Sequence, residues 1–472
     1  VLGAGLLAFG TLITETPADT AERPQDWVIS EVESGQLNIS SEFGTYSAVQ
    51  QANPDAVIEP NARVQAAGWT NAPGDPYYAT SWWLKAPPGI EVAPAWRTTR
   101  GAGIVIAVLD SGLRTESGEF VGRVLPGYDF VRSSWGISPG DGDDEDSDPT
   151  DPGDNCGDAN SSIWHGTHVA GIATAAANGV GTVGVAPEAM VLPVRVLGHC
   201  GGEIPQVAKG ILWAAGLPVE NAPLNPNPAD VINLSLVAPI PCYFALEDAI
   251  TRAIAAGAVV VASAGNQSLD AERAAPANCG GVITVAAGST TGTTSSYSNY
   301  GSLVEVVAPG DGIYSTVDLG YQSPSGQPGY APYWGTSMAA PMVSGLAALY
   351  LAAHPGATVA ETVAAIIASA TPIASCVEPF TCGAGLVSAA RLIPPPPPFV
   401  SPTDFAIVAD PLMAKVLESA LSAHRGKLLP VGRGDLRVVV NDCVLTPPMS
   451  IDEGFEQLLS GAVCAPAAVS AG

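Results

Sequence analysis

From Ile104 onward the chain repeats one pattern: IVIAVLD, VLPVRVL, DVINLSL, GAVVVASAGN, GVITVAAG and VEVVAPG. These runs are apolar and β-branched, and helix-length stretches rich in small residues separate them. A strand that faces solvent on one side alternates apolar with polar residues; a strand apolar at every position is covered on both faces. The pattern therefore predicts an α/β fold, a doubly wound parallel sheet with helices on both faces. In such a sheet ligands bind beyond the carboxyl ends of the strands. Chemistry-bearing residues at those ends become the first candidates.

Several stand there. Asp110 closes IVIAVLD and is followed by small residues that leave access. Asn266 follows the strand in VVVASAGNQS, with a side-chain amide able to donate to a developing oxyanion. Ser337, in GTSMAAPMVSGLAALYLAA, sits where a long apolar helix begins. The helix dipole there favours the negative charge that a serine nucleophile's transition state develops. Serine needs an external base, and histidine is the natural one. The chain has five: His165, His168, His199, His354 and His424. Each residue alone has a bland reading: a strand-end cap for Asp110, a turn for Asn266, an N-cap for Ser337.

Taken in order, VLDSG, HGTHVAG, NLSL, SAGN and GTSMAAP resemble the motifs of the subtilisin-like (subtilase, peptidase S8) serine endopeptidases, over about Pro76 to Ile393. The chain order Asp, His, Ser is that of subtilisin. The resemblance implies Ser337 as nucleophile, His165 as general base and acid, Asp110 as orienter of the imidazole, and Asn266 with the Ser337 amide as oxyanion donors. It implies protein or peptide substrates held in extended form by Gly201 and Gly202, by Ser235, Leu236 and Val237, and by Ala264 and Gly265. One departure stands out: Val237 occupies the place where the family motif usually has glycine after SL. A branched side chain there is expected to narrow the primary pocket and favour slim residues before the cut bond.

His165 and His168 share HGTHVAG at a spacing of three. Zinc-binding helices space their histidines by four and add a glutamate, and both features are missing. His165 is expected to open a helix at the sheet edge beside Asp110. His168, one turn deeper among Val169, Ala170 and Ile172, reads as a buried packing residue.

Between Asp110 and His165 runs DGDDEDSDPTDPGD, which places eight carboxylates and no base over Asp141 to Asp154. Dense oxygen ligands suit calcium, and subtilisin-like enzymes often bind it, so Asp146, Asp148, Asp151 and Asp154 are the expected ligands of a structural ion. The spacing is not that of an EF-hand, and no organic cofactor is implied.

Eight cysteines, an even count, favour an oxidising compartment. By resemblance Cys156 joins Cys200 and Cys242 joins Cys279. Cys376 and Cys382 flank a short loop as in secreted relatives, and Cys443 and Cys464 share the C-terminal segment. The opening VLGAGLLAFGTLI is an uncharged apolar run of thirteen residues, too short to span a bilayer, and reads as an export-signal remnant over residues 1–18. The resemblance makes residues 19–67 an inhibitory propeptide, with strand-like DWVISEV and AVIEP, and residues 68–393 the catalytic domain. Self-cleavage is expected between Gln65 and Gly74. The proline-rich stretch 394–402 reads as a stiff linker to a C-terminal segment, 403–472, of unassigned role. A formal charge of -27 disfavours nucleic acid, whose phosphates need clustered Lys and Arg. The expected protein is a secreted, monomeric endopeptidase; an idle binding protein on the same fold and a transpeptidase using the same acyl-enzyme are the alternatives.

Overall fold

The computed structural model describes residues 73–395 apart from 135, 158–160 and 377–379, the backbone of 25–33, 36–44, 51–52 and 57–60, and four two-residue strands between 429 and 444. The expected signal remnant, residues 65–72 of the stretch from Gln65 to Gly74 expected for self-cleavage, and the side chains of Cys443 and Cys464 lie outside the described residues. Two compact units divide at Pro394 and Pro395.

In the first unit, β1 (Gln25–Glu33), β2 (Gln36–Gly44) and β3 (Val57–Pro60) form an antiparallel sheet of order β2-β1-β3. The principal sheet comprises β4 (Val105–Asp110), β5 (Tyr128–Asp129), β6 (Met190–Arg195), β7 (Val231–Leu234), β8 (Val259–Ser263), β9 (Ile283–Gly288) and β10 (Val306–Pro309). Its seven strands run β10-β9-β8-β7-β4-β6-β5, and every pair is parallel. The six apolar runs are six of these strands.

Each strand feeds two cores in alternation. Ile106, Val108, Val231, Val259, Val261, Ile283 and Val285 face one layer, with α1 (His165–Thr174) and α4 (Thr336–Ala353). Ala107, Leu109, Ile232, Leu234, Val260 and Ala262 face the other, with α2 (Ile204–Ala214) and α3 (Phe244–Ala255). That two-sided burial is what the unbroken apolar pattern encodes. α5 (Val359–Ser369) opens with a capping box, Thr358 and Glu361 exchanging side-chain and backbone bonds.

Helix α4 is long and apolar enough to cross a membrane by length and composition, yet 72% of it lies buried inside the fold. It is a core helix. The Ser344 hydroxyl pins it to β7 by donating to Asn233 Oδ1 at 2.8 Å.

A hairpin of β11 (Ile313–Asp318) and β12 (Pro328–Tyr333) lies along α1. The hydroxyls of Ser315 and Thr316 donate to the carbonyls of His168 and Thr167. Its strands IYSTVD and PGYAPY mix polar residues, proline and glycine. Hydrogen bonds to the helix hold it in place together with buried Ile313 and Val317.

Candidate active site

Asp110 ends β4 and His165 opens α1. Asp110 is fully buried, and the Nδ1 of His165 lies 2.7 Å from its Oδ1. The Ser111 amide donates to the same oxygen at 2.8 Å. The approach is close because the next residue is glycine: a Cβ on Gly166 would lie 2.3 Å from the Gly112 carbonyl oxygen and 3.1 Å from the Asp110 Cβ. Burial opposes protonation of His165, but the carboxylates of Asp110, Asp154 and Asp151 outweigh it and lift the imidazole to about 8. His168 is fully buried, bonds Ala331 O through Nε2 at 2.9 Å and stacks on Tyr333 at 4.3 Å. Desolvation there pushes the imidazole down to about 3, so it is neutral.

Ser337 is the second residue of α4, and Gly335, not a serine, occupies the N-cap. The Ser337 hydroxyl does not cap the helix; it donates to the Ser235 carbonyl at 3.2 Å. Asn266 is not a plain turn residue either. Its Oδ1 accepts the Thr336 amide at 2.9 Å and the Thr336 hydroxyl at 2.8 Å, which fixes the amide plane and turns Nδ2 outward. A Cβ built on Gly335 would lie 3.3 Å from that Nδ2 and 3.6 Å from the Ser337 amide nitrogen. Two donors therefore flank one point at the start of a helix.

Of the expected substrate segments, Ser235 bonds Ser337 and Gly265 bonds Thr336. Ser235 is buried, and Leu236 and Val237 are half-buried; Ala238 exchanges backbone bonds with Ala275 and anchors the segment. Gly201 exchanges its amide and carbonyl with Gly198, and a Cβ on Gly202 would meet the Val196 carbonyl oxygen at 2.1 Å. Ala264 and Gly265 spend their amides on Val285 O and Thr336 Oγ1, and their carbonyls accept from Asn299. These two residues offer no spare N–H to an extended peptide.

The acidic loop departs from expectation. Among the described residues, Asp146, Asp148, Asp151 and Asp154 do not converge on one point as a ligand set. Asp146 and Asp148 accept the amides two residues ahead, of Asp148 and Thr150, as turn-forming aspartates do. Asp151 is fully buried and accepts the Ser111 hydroxyl at 2.7 Å and the Gly153 amide at 2.8 Å. Asp154 accepts the amides of Ile163 and His165. Asp141 and Asp129 pair with Arg195, which is fully buried. Arg195 also donates to the Ser111 carbonyl at 3.2 Å. An arginine inside the apolar strand VLPVRVL was the sequence's signal for buried carboxylate partners.

A second pair of carboxylates, outside the acidic loop, is buried near Asn178. Asp75 and Glu119 are both buried and both bond Asn178: Asp75 Oδ1 accepts its amide, and Glu119 Oε2 accepts its side-chain nitrogen. Asp75 Oδ2 is buried without a hydrogen-bond partner. Desolvation, with the neighbouring Asp75 charge among the lesser causes, pushes Glu119 up to about 7, despite bonds from Tyr330 and Thr182. Asp75 Oδ2 is the orphaned oxygen of this pair, and two carboxylates supply only part of the roughly six to eight oxygens that a calcium ion takes.

Among the described residues three disulfides are formed, Cys156–Cys200, Cys242–Cys279 and Cys376–Cys382, with Cα separations of 4.5, 5.2 and 5.4 Å. The first ties the end of the acidic loop to the Gly201 segment.

A parallel sheet with a carboxylate-imidazole pair, a helix-start serine and an asparagine donor at its carboxyl edge defines a class of α/β protein built around a serine. The chain belongs to the subtilase family of peptidases (peptidase S8), whose family model matches residues 101–385. It is 41% identical over 310 residues to an extracellular protease of Xanthomonas campestris pv. campestris, covering 64% of this chain and 53% of that one. It is 40% identical over 296 residues to an extracellular basic protease of Dichelobacter nodosus, covering 60% and 48% respectively. The chain thus spans about half the length of these two curated relatives. A solved structure of proteases from Pseudoalteromonas arctica superimposes with a TM-score of 0.65 at 40% identity, covering 68% of this chain and 98% of that one.

Proposed function

We propose that this subtilase is a secreted serine endopeptidase working through an acyl-enzyme. Ser337 Oγ attacks the carbonyl carbon of the scissile bond and gives its proton to His165 Nε2. Asp110 holds the other ring nitrogen and stabilises the imidazolium. The carbonyl oxygen, now negative, sits between Asn266 Nδ2 and the Ser337 amide. His165 then passes its proton to the departing amine. Water next attacks the ester, again with His165 as base, and releases Ser337.

The observation that carries this reading is the orientation of Asn266. Its acceptor end is locked by Thr336, so only the donor end faces the point flanked by the Ser337 amide. Treatment with a serine-directed phosphonylating reagent tests it: the adduct mass is expected on the peptide containing Ser337, and an unmodified Ser337 beside a labelled serine elsewhere would reject the assignment.

The remaining parts of the reading follow. Substrates are proteins or peptides in extended form, with slim residues preferred at the Val237 pocket. Residues 19–67 act as an inhibitory propeptide released by cleavage between Gln65 and Gly74, and the mature enzyme is a monomer. Secretion is supported by three disulfides and by relatives named extracellular proteases. Calcium is proposed as a structural ion held by Asp75 and Glu119, supplying charge balance to two buried carboxylates. No step of the reaction involves it.

A further inference from the structure

The acidic stretch between Asp110 and His165 ends in an arrangement that the proposed chemistry does not by itself require. Trp164, the residue immediately before His165, has φ 53° and ψ 45°, the left-handed region that a bulky side chain rarely enters. A residue held in this way persists only where its surroundings fix it on several sides. Here they do. Asp154 Oδ1 accepts the Ile163 amide at 2.6 Å, and its Oδ2 accepts the His165 amide at 2.9 Å. One carboxylate thus grips the backbone on both sides of the strained residue. The indole of Trp164 is buried and donates to the Gly320 carbonyl at 3.1 Å, which ties the same turn to the hairpin.

Behind this grip lies a second support. The Ser111 hydroxyl accepts the Gly166 amide at 3.0 Å and donates to buried Asp151, three residues before Asp154. The first amides of a helix have no partner within it, and an anion there also meets the positive end of the dipole. At the start of α1, Ser111 and Asp154 supply the acceptors and the loop supplies the charge.

We propose that Asp154 is a positioning residue for His165: by bridging the amides of Ile163 and His165 across the strained Trp164, its carboxylate sets the imidazole against Asp110 and favours the imidazolium formed during the reaction. The inference rests on His165 being the general base. The charged and titratable groups facing His165 are Asp110 from β4, Asp151 and Asp154 from the loop, and neutral His168 within α1; Arg195 reaches the same network through the Ser111 carbonyl. Removing the Asp154 charge takes away one of the carboxylates that raise the imidazole.

The test is Asp154→Asn in the full chain. Asparagine keeps the shape but offers one acceptor and no charge. The expected result is a fall in kcat of about 10-fold or more with KM within twofold, and an acid limb of kcat/KM moved to lower pH by about half a unit or more. A purely structural role would lower thermal stability and leave that limb where it is, so an unmoved limb overturns the proposal. Should Asp154→Asn not fold, Asp154→Glu keeps the charge and displaces the grip. Its kcat is expected to fall with the limb unmoved, and a kcat within twofold of wild type overturns the proposal. Ser337→Ala measured alongside separates the two levels: if it stays active, the catalytic reading itself fails.

Discussion

Ser235 and Ser337 are tied to each other twice: the Ser235 hydroxyl donates to the Ser337 carbonyl at 2.9 Å, and the Ser337 hydroxyl donates to the Ser235 carbonyl at 3.2 Å. The end of β7 and the start of α4 are thereby fixed together at the Ser337 hydroxyl. Asn233, fully buried, donates to the Ser235 hydroxyl at 2.9 Å and completes the link. Ser235→Ala strips the Asn233 amide of this acceptor and frees the helix start. Unfolding by denaturant is expected to show a loss of about 1–3 kcal/mol, together with a lower kcat. Unchanged stability would mean that the link is incidental.

The two histidines of HGTHVAG should separate cleanly. His165→Ala is expected to abolish turnover in a folded protein. His168→Ala removes a buried ring stacked on Tyr333 and should cost about 2–5 kcal/mol of stability while the surviving folded fraction remains active. Equal loss of activity in two equally stable variants would contradict the division.

The pH dependence follows from the raised imidazole. A general base must be neutral to accept a proton, and a group lifted to about 8 is mostly protonated below that value. kcat/KM is therefore expected to fall about tenfold per unit as pH drops below about 8. A profile that stays flat down to pH 6.5 would show that the surrounding carboxylates do not act on His165.

At the proposed primary pocket, half-buried Val237 should exclude broad side chains. In a panel of peptides differing only before the cut bond, alanine is expected to be cleaved faster than phenylalanine or tyrosine, and Val237→Gly should reverse or level the order. Faster cleavage after the aromatics by the wild type would dismiss the narrowed pocket.

Calcium is tested at the buried pair and not in the acidic loop. Chelation is expected to speed thermal inactivation of the wild type, whereas Asp75→Asn should inactivate at one rate with or without chelator. A wild type indifferent to chelation would remove calcium from the account.

The sheet was legible because its physics is local. A run such as VVVAS can satisfy its environment only when covered on both faces, and β8 is buried at every position. The two-residue β5 and the hairpin of β11 and β12 were not legible, since an edge strand of that length has no pattern and the hairpin is held by hydroxyls reaching across to α1. The same division runs through the site. Asp110, His165, Asn266 and Ser337 could be placed by the strand or helix that ends or begins at each. Asp154 could not, because its grip on His165 depends on a left-handed Trp164 and on two amides nine and eleven residues away along the chain. Composition made the loop look like a cation site; the fold turns its last two carboxylates inward, onto backbone amides and the Ser111 hydroxyl.

The most direct test of the central claim is casein hydrolysis by the matured wild type and by Ser337→Ala at matched folded concentration. The account predicts ready hydrolysis by the wild type and a loss of at least about 10⁴-fold in the variant. Hydrolysis by Ser337→Ala at a rate near that of the wild type would contradict it.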